Sequence, residues 1–231
     1  MIFDDIILSI AEGESEETLE LTKQALAQGY SATVILEKGL ITGINIIAEK
    51  YRTEKVNVPE VLMATHSMHA GLSVIEPFLT APTKKGLGKI ILGTVAGDLH
   101  DIGLSIVKAM VMATGAKVID LGVNVSPKKF ASAVRKENPD ILMISALLTT
   151  TMSVMKDVIV ELEAQGLRNG VKIIVGGAPI TTAFAKEIGA DYTFEDAFEL
   201  RTFLEENLNK LLASKRINKE IEGYSKECGE C

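Results

Sequence analysis

The apolar positions along the chain follow two different periods, and the change falls at TAPTKKGLGK, residues 80–89. Before it, apolar residues recur at helical spacing. A short apolar stretch at 2–10 is followed by SEETLELTKQALAQ (15–28), which Gly29 stops, and by ATVILEKGLITGINIIAEKYR (32–52), weakened by Gly39 and Gly43. Glycine lowers helix propensity, and just past a helix it favours termination. A further helix begins at Pro59, a favoured first helical position, and runs to about residue 80. Four helices joined by short loops predict a small antiparallel bundle. Beyond the break, short continuous apolar runs alternate with helix-length segments: KIILGTVA (89–96), AKVIDLGV (116–123), DILMISALL (140–148), VKIIVGGA (171–178) and the weaker ADYTFED (190–196). Runs without polar alternation suit strands buried on both faces, as in a parallel sheet. Five βα units, the last helix spanning 197–213, predict an α/β, flavodoxin-like (Rossmann-type) domain with its ligand site beyond the C-terminal strand ends. The expected organisation is a helical bundle (1–82), a linker (83–88), a five-stranded domain (89–213) and a polar tail (214–231).

Composition narrows the function classes. The 231 residues are 47% hydrophobic and 24% charged, an ordinary globular make-up. A net charge of −7 argues against sequence-independent nucleic-acid binding and against docking to an anionic membrane. No apolar run is long enough to span a bilayer, and the start MIFDDIILSIAEGESEE is acidic where a signal peptide would be basic. The two cysteines, Cys228 and Cys231, form no disulfide framework, so a cytoplasmic location is expected and the CGEC end reads as an inert tail. His66 and His69 read as solvated helix positions, and the methionines as core filler.

The strand ends carry the chemistry. The first strand–helix turn, GTVAGDLHDIG, has neither the GxGxxG nor the GxxxxGK[ST] pattern, so dinucleotide and P-loop readings lack their mechanism. It offers Asp98-x-His100-x-x-Gly103. A histidine on a turn can present one ring nitrogen to a metal while the other bonds a carboxylate, which fixes the tautomer and raises ligand basicity. A zinc site needs three or four protein ligands, and one histidine with one carboxylate suits a metal that brings its own ring. The third strand ends in Ser145-Ala146-Leu147, followed by Leu148 and Thr149 to Thr151, and the fourth in Gly176-Gly177-Ala178. Small residues there leave a slot, and hydroxyls in it can bond a buried polar ligand.

In this pattern the chain resembles the cobalamin-binding domains of corrinoid proteins and of methionine synthase. The likeness rests on Asp98-Leu99-His100-Asp101-Ile102-Gly103, Ser145-Ala146-Leu147 and Gly176-Gly177, and it extends over about residues 1–213. The resemblance implies a cobalamin or related cobamide, with a methylated form as intermediate. His100 would be the lower axial cobalt ligand, displacing the cofactor's own base. Asp98 would bond its far nitrogen, and Thr151 would complete a His–Asp–hydroxyl relay. Ser145 would bond the displaced base in a channel lined by Gly176, Gly177 and Ala178, while Gly103 and Ser105 would let the nucleotide tail pass. The helical bundle would cap the corrin, and the small-residue face Asn57, Glu60, Ala64, Ser67 and Gly71 is expected to meet the ring, with Val61, Leu62, Thr65, Met68, Leu72 and Ile75 forming the core face.

The function implied is a methyl carrier in one-carbon metabolism, not catalytic alone. It would shuttle a methyl group on cobalt from a substrate-specific methyltransferase acting on a methylamine, methanol, betaine or methoxyaromatic donor. The receiver would be a second methyltransferase that uses tetrahydrofolate or a thiol, and a reductive activase would serve both. Two alternatives share the DxHxxG domain. One is the small subunit of an adenosylcobalamin-dependent mutase, which does not need the bundle. The other is a cobalamin-sensing regulator, which would carry a basic DNA-reading helix that the acidic first eighty residues do not offer.

Overall fold

The computed structural model describes residues 1–79, 88–114 and 116–207. They fall into two compact units, divided between Pro82 and Thr83. The expected linker, apart from Gly88, lies outside the described residues, as do the end of the last helix beyond 207, the tail 214–231 and with it Cys228 and Cys231.

The first unit is helical: α1 (Ile2–Glu12), α2 (Ser15–Ala27), α3 (Ala32–Ile35), α4 (Thr42–Arg52) and α5 (Val58–Leu79). Between α3 and α4 the chain does not break but widens into a π-helical segment, Leu36–Ile41. Sequence periodicity reads 32–52 as one helix with two glycines in the way, and the structure gives those glycines a purpose. Gly39 faces Ile6 and Gly43 faces Ile10, so the missing side chains let α1 lie close. Thr42 Oγ1 donates to the Glu37 carbonyl five residues back, at 3.0 Å, and satisfies an acceptor of the widened turn.

Small residues also decide how α5 packs, and here the expected faces are corrected. Ala64 and Ser67 are fully buried in the interior, not set out for a flat ring. Ser67 Oγ lies 3.2 Å from Ser15 Oγ of α2, and a Cβ on Gly71 would meet Leu40 and the Thr22 hydroxyl. The 64/67/71 stripe is therefore a close-approach seam. Of the residues expected as core, Met68, Leu72 and Ile75 are buried while Leu62 is 64% exposed, because the buried arc is rotated toward the small residues. The helical unit also buries hydroxyls that bond backbone carbonyls one turn back: Ser9 to Ile6, Thr18 to Glu14 and Thr22 to Thr18. Bonded in this way they add no unsatisfied polar group to the core. His66 is exposed, as expected. His69 is not: it is half-buried, and its Nε2 is enclosed without a hydrogen-bond partner among the described residues.

The second unit alternates strand and helix: β1 (Lys89–Thr94), α6 (Ile102–Ala113), β2 (Lys117–Asp120), α7 (Pro127–Glu137), β3 (Ile141–Ser145), α8 (Met152–Ala164), β4 (Lys172–Gly176), α9 (Thr182–Glu187) and β5 (Tyr192–Thr193), with residues 197–207 helical. All pairings are parallel and the order is β2-β1-β3-β4-β5. Alternate strand residues point to opposite faces. Ile91, Leu142, Ile144, Ile173 and Val175 pack beneath α7, α8 and α9, and Ile90, Leu92, Ile141, Met143 and Ile174 pack beneath α6 and the last helix. The three central strands, β1, β3 and β4, are accordingly apolar through their interiors, whereas β2 at the edge carries Lys117 and Asp120.

The order reverses between β1 and β3, the switch point at which such sheets open a crevice. Register then aligns the ends: Thr94 sits opposite Ser145, and Ser145 opposite Gly176. At Gly177 the chain turns at φ 134°, and a Cβ there would overlap the Ala146 carbonyl oxygen. No side chain is tolerated at that approach. Gly177→Ala should lower the unfolding free energy by about 3 kcal/mol or more in urea melts, from strained backbone plus overlap with main chain. Gly71→Ala, whose Cβ meets only the movable end of Leu40 and a hydroxyl, should cost under about 1 kcal/mol, because improved helix propensity offsets the crowding.

Candidate cofactor-binding site

The site grows from the loop after β1. Thr94, fully buried, donates its hydroxyl to the His100 carbonyl at 3.1 Å and closes the base of the turn. Asp98 is also fully buried, and both of its oxygens are occupied. Oδ1 accepts the His100 backbone N–H at 3.1 Å and lies 2.6 Å from His100 Nδ1. Oδ2 accepts the backbone N–H groups of Leu147 at 2.7 Å and Leu148 at 3.2 Å, and the Thr151 hydroxyl at 3.0 Å. Burial pushes the carboxyl up, but the hydrogen bonds from Leu147, from the His100 ring and amide, and from Thr151 outweigh it. They hold Asp98 below the usual carboxylate range, an ionised anchor in the protein interior.

An ionised Asp98 dictates the histidine. The Nδ1 proton points at the carboxylate, so Nε2 is left with its lone pair, on a ring that is half exposed. Around it Leu99, Leu147 and Leu148 are 71%, 41% and 40% exposed, an apolar rim at a place where soluble chains usually put polar groups. Among the described residues no group of three or more His, Cys, Asp or Glu could hold a metal ion. The donor set is thus one imidazole nitrogen with a carboxylate behind it and an apolar rim beside it. That set fits a metal already enclosed by a large flat ligand. A Cβ on Gly103 or Gly176 would meet nothing within 4 Å, so the space beside α6 and the β4 end is open. The residues fit a corrinoid.

The structure brings Asp98, His100, Leu147 and Thr151 into one bonded group and aligns Ser145 and Gly176 beside it. Asp101 is exposed before α6, Ile102 begins that helix half-buried, and Ser105 is half-buried one turn on. Thr149 and Ala178 are exposed, and Gly177 serves the backbone approach already described. Sequence reasoning missed three members. The Thr94 hydroxyl and the Leu148 amide sit in positions whose side-chain type signals nothing. Asn124 was legible in principle, as a residue that tolerates left-handed backbone in the loop after β2.

Comparison with known proteins agrees with this geometry. A B12 binding domain model matches residues 88–201, and a second model, also described as a B12 binding domain, matches residues 2–76. Dimethylamine corrinoid protein 2 of Methanosarcina acetivorans is 41% identical over 196 residues, 84% of this chain and 89% of its own length. The structure of the Methanosarcina barkeri monomethylamine corrinoid protein superposes with a TM-score of 0.77 at 36% identity, covering 89% of this chain and 97% of that one. A chain of the methanol:cobalamin methyltransferase complex from the same organism gives 0.51 at 27% identity, over 90% and 80%. With a buried carboxylate presenting one histidine nitrogen at the switch point, and relatives of this closeness over both units, the chain belongs to the corrinoid proteins of methyltransferase systems.

Proposed function

We propose that the chain carries a methyl group between two methyltransferases on a corrinoid ligated by His100 Nε2, and that the donor is a methylamine. One observation carries the ligand assignment: the buried Asp98 carboxylate engages His100 Nδ1, which leaves Nε2 of a half-exposed ring as the nitrogen free to ligate. The corrinoid supplies the cobalt that accepts and gives up the methyl group; the chain supplies the axial nitrogen and its surroundings. Asp98 raises the donor strength of His100, and the amides of Leu147 and Leu148 with the Thr151 hydroxyl keep Asp98 in place. Ser145 and the open Gly176 end would hold the cofactor's own base, and Gly103 and Ser105 would leave room for its nucleotide tail. The helical unit has a part of its own in handling the cofactor, a reading supported by the B12 binding domain match over 2–76.

Support for a methylamine comes from the relatives named above: two of the three are methylamine corrinoid proteins, and the methanol system is the more distant in sequence and superposition. The acceptor side is a methyltransferase acting on tetrahydrofolate or a thiol, with a reductive activase restoring the lowest cobalt oxidation state.

Reduced holoprotein, mixed with methyltransferases specific for mono-, di- and trimethylamine, methanol and betaine, should show the absorption change of one methyl transferred per chain with a methylamine enzyme. Methylation by the methanol or betaine enzyme alone would remove the donor assignment.

His100→Ala should retain cobamide through its tail while losing nitrogen ligation, seen as loss of nitrogen hyperfine splitting in the Co(II) spectrum. Asp98→Asn should shift the Co(II)/Co(I) potential and weaken its dependence on pH. In the apoprotein the same change should cost about 1–3 kcal/mol at neutral pH, because an amide cannot accept all the donors that Asp98 accepts. Asp98 has a lowered carboxyl in the folded chain, so its contribution is full above about pH 4 and is lost as the pH falls below it. The gap between wild type and Asp98→Asn in urea melts should therefore narrow below about pH 4. A gap unchanged down to acid pH would mean that the ionised carboxylate is not what stabilises the turn.

A further inference from the structure

The loop between β2 and α7 runs beside the turn that carries His100, and it is bonded to that turn along its length. Thr94 N–H donates to the Gly122 carbonyl at 3.0 Å and Val125 N–H to the Thr94 carbonyl at 2.9 Å, and Val95 and Val125 form an isolated parallel bridge. Asn124 adds two bonds at the centre. Its Oδ1 accepts the Gly97 N–H at 2.9 Å, and its own N–H donates to the Asp98 carbonyl at 3.1 Å. The two peptide groups on either side of the Asp98 amide are thereby tied to one residue of a neighbouring loop.

Asn124 holds this position at a conformational cost. Its φ is 54°, in the left-handed region that non-glycine residues avoid. A glycine would adopt that backbone freely, yet it would leave the Gly97 amide without the side-chain oxygen that accepts it. Gly97 is itself left-handed, at φ 83°, and its α-carbon faces Thr151: a Cβ there would lie 3.4 Å from Thr151 Cγ2. The turn is consequently held from both sides. Leu147, Leu148 and Thr151 grip the Asp98 carboxylate from the β3 end, and Asn124 grips the backbone from the β2 end.

We infer that Asn124 is a positioning residue for the axial ligand. By clamping Gly97 and Asp98 it pre-organises the carboxylate, and through it the direction of His100 Nε2, before a corrinoid arrives. This rests on the reading of His100 as the axial ligand. Asn124 does not contact His100 by any hydrogen bond in the structure; it acts through Asp98. Holding a ligand in its bound direction beforehand removes an ordering cost from binding, so the expected defect lies in ligation and affinity and not in fold. Asn124 is exposed, and the surrounding loop bonds are main chain, so changes at this position leave the core untouched.

Two substitutions in the full chain separate geometry from mere bulk. Asn124→Gly keeps the left-handed backbone and removes the acceptor, whereas Asn124→Asp keeps an acceptor oxygen on a residue that also tolerates this backbone. In the apoprotein, the Gly97 amide of Asn124→Gly should exchange with solvent about tenfold faster than wild type, the equivalent of one net hydrogen bond, and Asn124→Asp should restore protection. Reconstituted with cobalamin, Asn124→Gly should bind about tenfold more weakly. Its Co(II) spectrum should show a mixture of nitrogen-ligated and unligated cobalt, while Asn124→Asp should return to the single ligated form. Thermal unfolding of all three apoproteins should agree closely, because in Asn124→Gly the relief of left-handed strain offsets the lost bond. If Asn124→Gly matched wild type in affinity and in its Co(II) spectrum, the proposal would be overturned. Loss of ligation that tracked a lowered melting temperature, without rescue by Asn124→Asp, would also overturn it. Wild-type cobalt ligated by the cofactor's own base would remove the axial-ligand reading, and this inference with it; histidine ligation that the variants leave intact would remove this inference alone.

Discussion

A single carboxylate with no solvent exposure organises the site. Burying an ionised group is costly unless every lone pair finds a donor, and Asp98 is met by the amides of His100, Leu147 and Leu148, the His100 ring and the Thr151 hydroxyl. These donors come from two different strand ends, so the carboxylate joins the β1 turn to the β3 loop as well as orienting the imidazole. The interaction that gives the histidine its tautomer is the same one that holds the loops together. Removing it would disturb ligand direction and local structure at once.

The remainder of the second unit can be seen as what allows that carboxylate to be placed. Continuous apolar strands bring β1 and β3 side by side with Thr94 and Ser145 in register, and the parallel order opens the crevice where both loops emerge. At the next strand Gly177 lets the backbone reach the Ala146 carbonyl, with no side chain to hold it off. In the helical unit the same device appears in another form: Gly39, Gly43 and Gly71 are sites of close helix approach, and the buried hydroxyls of Ser9, Thr18 and Thr22 are satisfied within their own backbone. Here small residues set how closely the helices approach, around a core of isoleucine and leucine.

Strand number and the parallel sheet were legible because burial on both faces leaves short continuous apolar runs, and these alternate with helix-length segments. Asp98, His100 and Thr151 were legible because their spacing matches a chemical task and a known family. The α5 faces were misread because periodicity gives the angle of an apolar stripe but not how close a neighbour comes: Ala64, Ser67 and Gly71 lie at the closest approach, and Leu62, more hydrophobic than any of them, faces outward. The π-helical widening at Leu36–Ile41 leaves no trace in periodicity for a similar reason: helix propensity reports what a glycine costs and not the space it leaves for a neighbouring helix. Backbone donors such as the Leu148 amide carry no signature in side-chain type.

The orientation of the imidazole by Asp98 can be measured without any cofactor. In nitrogen-15 NMR of the apoprotein with labelled histidine, three rings contribute, and His100→Ala identifies the signal of interest. At a pH where that ring is neutral, the structure predicts the proton on Nδ1, held by the Asp98 carboxylate, with Nε2 unprotonated and ready to ligate. A neutral His100 carrying its proton on Nε2, the form favoured by free histidine in water, would contradict it.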